Sequence, residues 1–96
     1  MLDIKKLVEN YKYNTFIYAR FLNMNKVGML HAKSCVTPTY YFIFENNKFK
    51  KYRVNLKEQY SFEYLETIDN TKIINFNFLK KKYVNAKLNK EIIING

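Results

Sequence analysis

The stretch "TYYFIFENNKFKKYRVNL", residues 39–56, constrains the fold more than any other part of the chain. Two runs rich in aromatic and β-branched residues flank Asn46-Asn47. Such runs suit the pleated, half-buried surface of a strand. Asn tolerates the positive φ that a two-residue I′ turn demands. Residues 39–45 and 48–55 are therefore predicted to form a hairpin. Closure at Asn46-Asn47 sets its register: Phe44 opposite Phe49, Phe42 opposite Lys51, Tyr40 opposite Arg53. Those six share one face, with Ile43, Lys50, Tyr41, Tyr52 and Val54 on the other. Neither face separates apolar from polar residues, as a hairpin with one solvated face should.

Two fates are open to the mixed face. Its rings and cations suit stacked bases and neutralised phosphates, at about 1–3 kcal/mol per stacked base. Alternatively Phe42, Phe44 and Phe49 are core, with Lys51 and Arg53 snorkelling at the margin. Burial is the commoner fate of phenylalanine and is the expectation here. The nine tyrosines are harder to bury, because each hydroxyl needs a partner.

Around the hairpin, residues 3–14 place Ile4, Leu7, Val8 and Tyr11 at helical spacing, with Asp3 as a candidate cap. Residues 15–24 favour a strand, although Ile17, Phe21 and Met24 also suit a continuing helix, with 25–28 a turn and 29–36 a return strand ended by Thr37-Pro38. Residues 60–66 alternate as a further strand, with Glu63 and Glu66 on opposite sides. Residues 72–78, "KIINFNF", alternate as a half-buried strand with Ile74, Phe76 and Phe78 on one face. In the tail, Val84, Leu88 and Ile92 keep helical spacing, while Ile92–Ile94 argue for a short strand or docking segment. The predicted class is α+β: an N-terminal helix, an antiparallel meander of four or five strands, and a C-terminal helix. Residues 1–96 read as one small basic domain, large enough to bury a single core.

Charge narrows the partners. The net charge is +9, which favours an anionic partner. The cations are 15 lysines against two arginines, so backbone contact should dominate over base readout. They fall in blocks. Residues 46–57 hold basic residues and no acid, 58–71 acids and no base, and 72–90 basic residues and no acid. In a meander, Lys50, Lys51 or Arg53 would face Glu63 or Glu66 as cross-strand pairs, worth about 0.2–1 kcal/mol each. That leaves Lys80, Lys81, Lys82, Lys87 and Lys90 as the leading nucleic-acid-binding candidates, with Arg53, Lys51 and Tyr40 as a second contact.

Catalytic patterns are weak. The glycines are isolated, so no phosphate loop is expected. His31 and Cys35 form a lone i, i+4 pair, too few ligands for zinc, and neither metal nor cofactor is expected. Cys35 is the sole cysteine and the first ten residues lack an apolar run, so no disulfide framework or secretory signal is expected. The longest apolar run, residues 40–44, is too short for a membrane span, and the expected compartment is the cytoplasm.

The expected function is a non-enzymatic, nucleic-acid-associated accessory protein, binding DNA or RNA mainly through backbone charge and aromatic stacking. Its partners are single-stranded or non-specifically bound nucleic acid, a larger replication or processing enzyme, or both. One alternative is a protein-binding inhibitor or adaptor from a phage or mobile element, in keeping with a composition dominated by residues with AT-rich codons. A lesser one is a small ribonuclease toxin using His31, Lys51, Tyr52 and Arg53.

Overall fold

The computed structural model describes residues 14–32, 39–55 and 61–94. Six strands form one sheet: β1 (Thr15–Phe21), β2 (Lys26–Ala32), β3 (Thr39–Glu45), β4 (Lys48–Asn55), β5 (Ser61–Ile68) and β6 (Ile92–Ile94). One helix, α1 (Ile73–Leu88), precedes β6. The strand order is β5-β4-β3-β2-β1-β6, antiparallel except that β6 runs parallel to β1.

The β3–β4 hairpin has the register its sequence predicts. Asn46 and Asn47 sit at φ 51° and 59°, the left-handed pair a I′ turn needs. At the β1–β2 connection, a 3-10 turn at Leu22–Met24 and left-handed Asn25 (φ 51°) reverse the chain. The turn thus comes earlier than residues 25–28, and Lys26 already belongs to β2.

The predicted α+β layout needs correction. The expected all-antiparallel meander is a mixed sheet, and residues 72–78 are not a strand. They are the first turns of α1, whose buried residues Phe76, Leu79 and Ala86, with half-buried Tyr83, fall at i, i+3, i+7 and i+10. Two periods overlap there, and packing on the sheet selects the helical one. The Asp69 carboxylate accepts from the Thr71 amide (3.0 Å) and hydroxyl (2.6 Å), turning the chain into α1. No N-terminal helix appears among the described residues. Residues 3–13 of that expectation lie outside them, and Asn14 is a turn residue with φ 62°.

The sheet is strongly curled. β1 and β5 are separated by three strands, about 19 Å on a flat sheet at the usual spacing. Yet the rings of Phe21 on β1 and Phe62 on β5 meet at 4.8 Å, and Tyr41 reaches Phe62 at 5.8 Å. The inner face of this curl holds Ile17, Ala19, Phe21, Leu30, Ile43 and Val54, all buried. The outer face holds Met29, Phe42, Phe49 and Ile68 against Phe76, Leu79 and Ala86 of α1. The hairpin faces therefore do not sort into apolar and polar because both lie against core.

Tyr41 shows how the inner face closes. Its ring crosses Gly28 of β2, where an added Cβ would lie 2.3 Å from the Phe42 carbonyl oxygen and 2.9 Å from Tyr41 Cζ. The Tyr41 hydroxyl then donates to the Ala19 carbonyl at 2.9 Å, satisfying a polar group that has left water. Gly28 and Ala19 face each other in the register and leave room for the ring.

A bulge in the β4–β5 pairing, between Lys51 and Tyr52, reverses the side-chain alternation along β5. Tyr52 faces Tyr64 and Val54 faces Phe62, whereas Lys51 faces Glu66 and Phe49 faces Ile68. Glu63 and Glu66 consequently share the outer face, correcting the expectation that they oppose each other.

Candidate functional site

The outer face is only partly covered by α1. Beside the start of the helix a cleft of about 260 Å³ remains open. Its walls are aromatic: Phe16 of β1, Tyr40 and Phe42 of β3, and Phe78 of α1. Ile68 and Leu79 add apolar surface, and His31 stacks on Phe16 with centroids 4.1 Å apart and planes 8° from parallel. Lys51, Glu66 and Asn75 supply the polar groups. Small-molecule pockets begin near about 300 Å³, so the cleft suits an object the size of one base.

Two lysines stand on its rings. Lys51 Nζ lies 4.3 Å from the Tyr40 centroid. Lys82 Nζ lies 5.5 Å from the Phe78 centroid and 5.7 Å from that of Phe16. Distances under about 6 Å are attractive, because a ring face carries negative quadrupole density. Glu66 is the register partner of Lys51, but its carboxylate is taken by Lys72 at 3.0 Å.

The other acids among the described residues are also engaged. Arg53 pairs with Glu63 at 3.7 Å, Arg20 with Glu91 at 3.2 Å, and Lys26 and Lys50 share Glu45. Lys26 and Lys50 together hold the Glu45 carboxyl below the usual carboxylate range, the hydrogen bond from Lys26 foremost. The Thr71 hydrogen bonds do the same for Asp69. Lys51, Lys80, Lys81, Lys82, Lys87 and Lys90 form no ion pair among the described residues.

The predicted site residues are divided by this geometry. Tyr40 and Lys51 meet in the cleft, while Arg53 stands beside them in β4 but is directed to Glu63. The tail lysines do not form one patch, because a helix turns about 100° per residue. Lys82 flanks the cleft. Lys80 and Lys87 lie on the other flank, each 6.0 Å from a ring, of Phe76 and Tyr83 respectively. Lys81 points outward, and Lys90 follows the helix. The ribonuclease quartet is split as well. His31 and Lys51 line the cleft, but Tyr52 packs on Tyr64 at 5.7 Å on the inner face.

Phe16, Glu66, Asn75 and Phe78 of the cleft are absent from the predicted sites, and His31 enters them only through the ribonuclease alternative. One signal was available: Asn75, Phe78 and Lys82 fall at i, i+3 and i+7, a single stripe once residues 73–88 are helical. Nothing in sequence separation brings Phe16 to Phe78, whose rings meet at 6.1 Å.

Among the described residues, no three His, Cys, Asp or Glu side chains group as metal ligands, and no helix is long and apolar enough to cross a membrane. Cys35 lies outside them. The described residues thus define, by class, a small basic protein with a curled mixed sheet, a helix packed on it and a ring-and-lysine cleft. Comparisons with protein families, with curated proteins and with solved structures returned no match.

Proposed function

We propose that this protein binds single-stranded nucleic acid, with a base in the cleft and the flanking phosphates on Lys51 and Lys82, as an accessory to a larger replication or processing enzyme. The observation that carries this reading is the placement of two lysines, unpaired with acids among the described residues, on the rings of one base-sized cleft. Stacking uses the exposed ring of Phe78 together with Tyr40. It is tolerant of base identity because every base has a π-face. Asn75 and Glu66 offer polar contacts to a base edge. A duplex keeps its bases stacked inside and has none to insert, so single strands are preferred.

A fluorescence-anisotropy titration with single- and double-stranded oligonucleotides at two salt concentrations tests the proposal. Single-strand affinity should exceed duplex affinity. It should fall with salt, at a logarithmic slope of about −0.7 per neutralised phosphate. Absence of single-strand binding at low salt sinks the reading. So does binding that survives unchanged when Phe78→Ala and Lys51→Ala are combined.

A further inference from the structure

We infer that the outward side of α1 is a docking seam for an acidic amphipathic helix of a partner protein. α1 uses Phe76, Leu79, Tyr83 and Ala86 against the sheet. Its opposite side is far from polar. Ile74 is 85% exposed, Leu88 79% and Val84 49%.

Their spacing is ordered. Ile74, Asn77, Lys81, Val84 and Leu88 follow one another at intervals of three, four, three and four residues. That is the a/d repeat by which one helix packs along another, here over two heptads. Beside it Lys80 and Lys87, seven residues apart and both exposed, occupy one flanking margin where coiled coils place pairing charges.

The charge states what the partner must carry. Residues 72–90 contain no acid, so the centre and one margin of the seam are cationic. A second copy is a poor occupant. A parallel pair sets Lys81 against Lys81, and an antiparallel pair sets the Lys80–Lys87 margins together. The chain's own residues 1–13 carry three lysines against two acids and do not supply the complement. A membrane surface is disfavoured too, because interfacial helices separate their charges from the apolar face. Here Asn77 and Lys81 sit in its middle, where a polar residue instead fixes the register of a helix pair. The complement is a helix with apolar residues opposite Ile74, Val84 and Leu88, and carboxylates opposite Lys81, Lys80 and Lys87. This surface is separate from the cleft wall, so either reading can fail without the other.

The test is an amide NMR titration of the full chain with a designed helical peptide. The peptide has apolar a/d positions, Glu on its margins and a Glu at its central seam position. Its Lys-for-Glu counterpart and phosphatidylserine vesicles are the other arms. The acidic peptide should shift the amides of Ile74, Asn77, Lys81, Val84 and Leu88. Lys81→Glu should weaken it about tenfold or more, the scale of losing one central contact. That variant should gain affinity for the Lys peptide. Ile74→Asn and Leu88→Asn should weaken the acidic peptide similarly while leaving the circular-dichroism spectrum unchanged, since both side chains are exposed. No shift with the acidic peptide overturns the inference. So do equal shifts with both peptides, tighter association with the vesicles, or concentration-dependent shifts of the same amides without peptide.

Discussion

The two faces of the same sheet are built from alternate residues of the same strands, yet they end differently. The inner face is closed by the curl of the sheet itself, so that Phe21 and Phe62 meet although three strands lie between them. Its one described tyrosine hydroxyl at the centre, on Tyr41, is satisfied by backbone carbonyls. The outer face depends on a separate element. α1 covers Phe42 and Phe49 but leaves Tyr40, Phe16 and Phe78 around an open cleft, with lysines resting on them. The core of the face closed by its own curvature contains no charged side chain, and the charges of that face, Lys26, Lys50 and Glu45, pair with one another at its edge. A face closed by one helix keeps a margin where rings and cations coexist. That margin is where binding is proposed.

The largest effect is expected from removing a ring of the inner face. Phe21→Ala should cost about 3–5 kcal/mol, the range for a buried aromatic truncated in a packed core. Phe44→Ala on the half-buried outer margin should cost clearly less. Equal denaturant midpoints for the two variants would show that the faces do not differ in packing.

Gly28→Ala comes next. The added methyl would meet backbone rather than a yielding side chain, so the β2–β3 pair or the Tyr41 ring must shift. A loss of about 1–3 kcal/mol is expected, typical of overpacking. Loss of the Tyr41 hydrogen bonds should accompany it, read as an earlier tyrosine ionisation in alkaline titration.

On the outer face, Lys51→Ala should leave stability nearly unchanged and weaken single-strand binding several-fold, whereas Arg53→Ala should weaken it less. Arg53 is already engaged by Glu63, in an exposed pair worth at most about 1 kcal/mol. Equal losses from the two variants would blur the boundary of the site.

The smallest test uses alkali. Burial, then a hydrogen bond with Tyr83, pushes the Tyr18 hydroxyl from its ordinary 10 up to about 12, and burial pushes Tyr41 up as well. For groups raised in the folded state, the linked stability is complete below pH about 10. It is lost as pH climbs through the folded value, pH about 12 for Tyr18. Near-ultraviolet absorbance should therefore show two tyrosines whose ionisation is delayed beyond pH about 10. Ionisation of every tyrosine near pH 10 in a still-folded chain would contradict this.

The β3–β4 hairpin was legible residue by residue, because its turn and its register are local. The facing of the basic block by Glu63 and Glu66 was legible too, since adjacent strands in a meander bring their charge blocks together. Of Lys50, Lys51 and Arg53, however, only Arg53 pairs there, while Lys50 goes to Glu45. Residues 72–78 were not legible. Alternating Ile74, Phe76 and Phe78 satisfy a strand period, and only the distant sheet offers Phe76, Leu79, Tyr83 and Ala86 a common surface. The bulge opposite Lys51 and Tyr52 was equally hidden, and it alone turns Glu66 toward the cleft side. The separation of the tail lysines was hidden for the same reason: helical rotation sends Lys82, Lys81 and Lys80 to three sides.

By itself, the sequence determined the excess of positive charge, the hairpin closed at Asn46-Asn47, and the abundance of aromatic rings needing cover. These follow from residue chemistry and from contacts a few positions apart. The fold alone set which rings are core and which line a cleft, which lysines lack an acid among the described residues, and that residues 73–88 expose Ile74 and Leu88. Those outcomes rest on the curl of the sheet and the seating of one helix. Both depend on packing between segments distant along the chain, which no local period encodes.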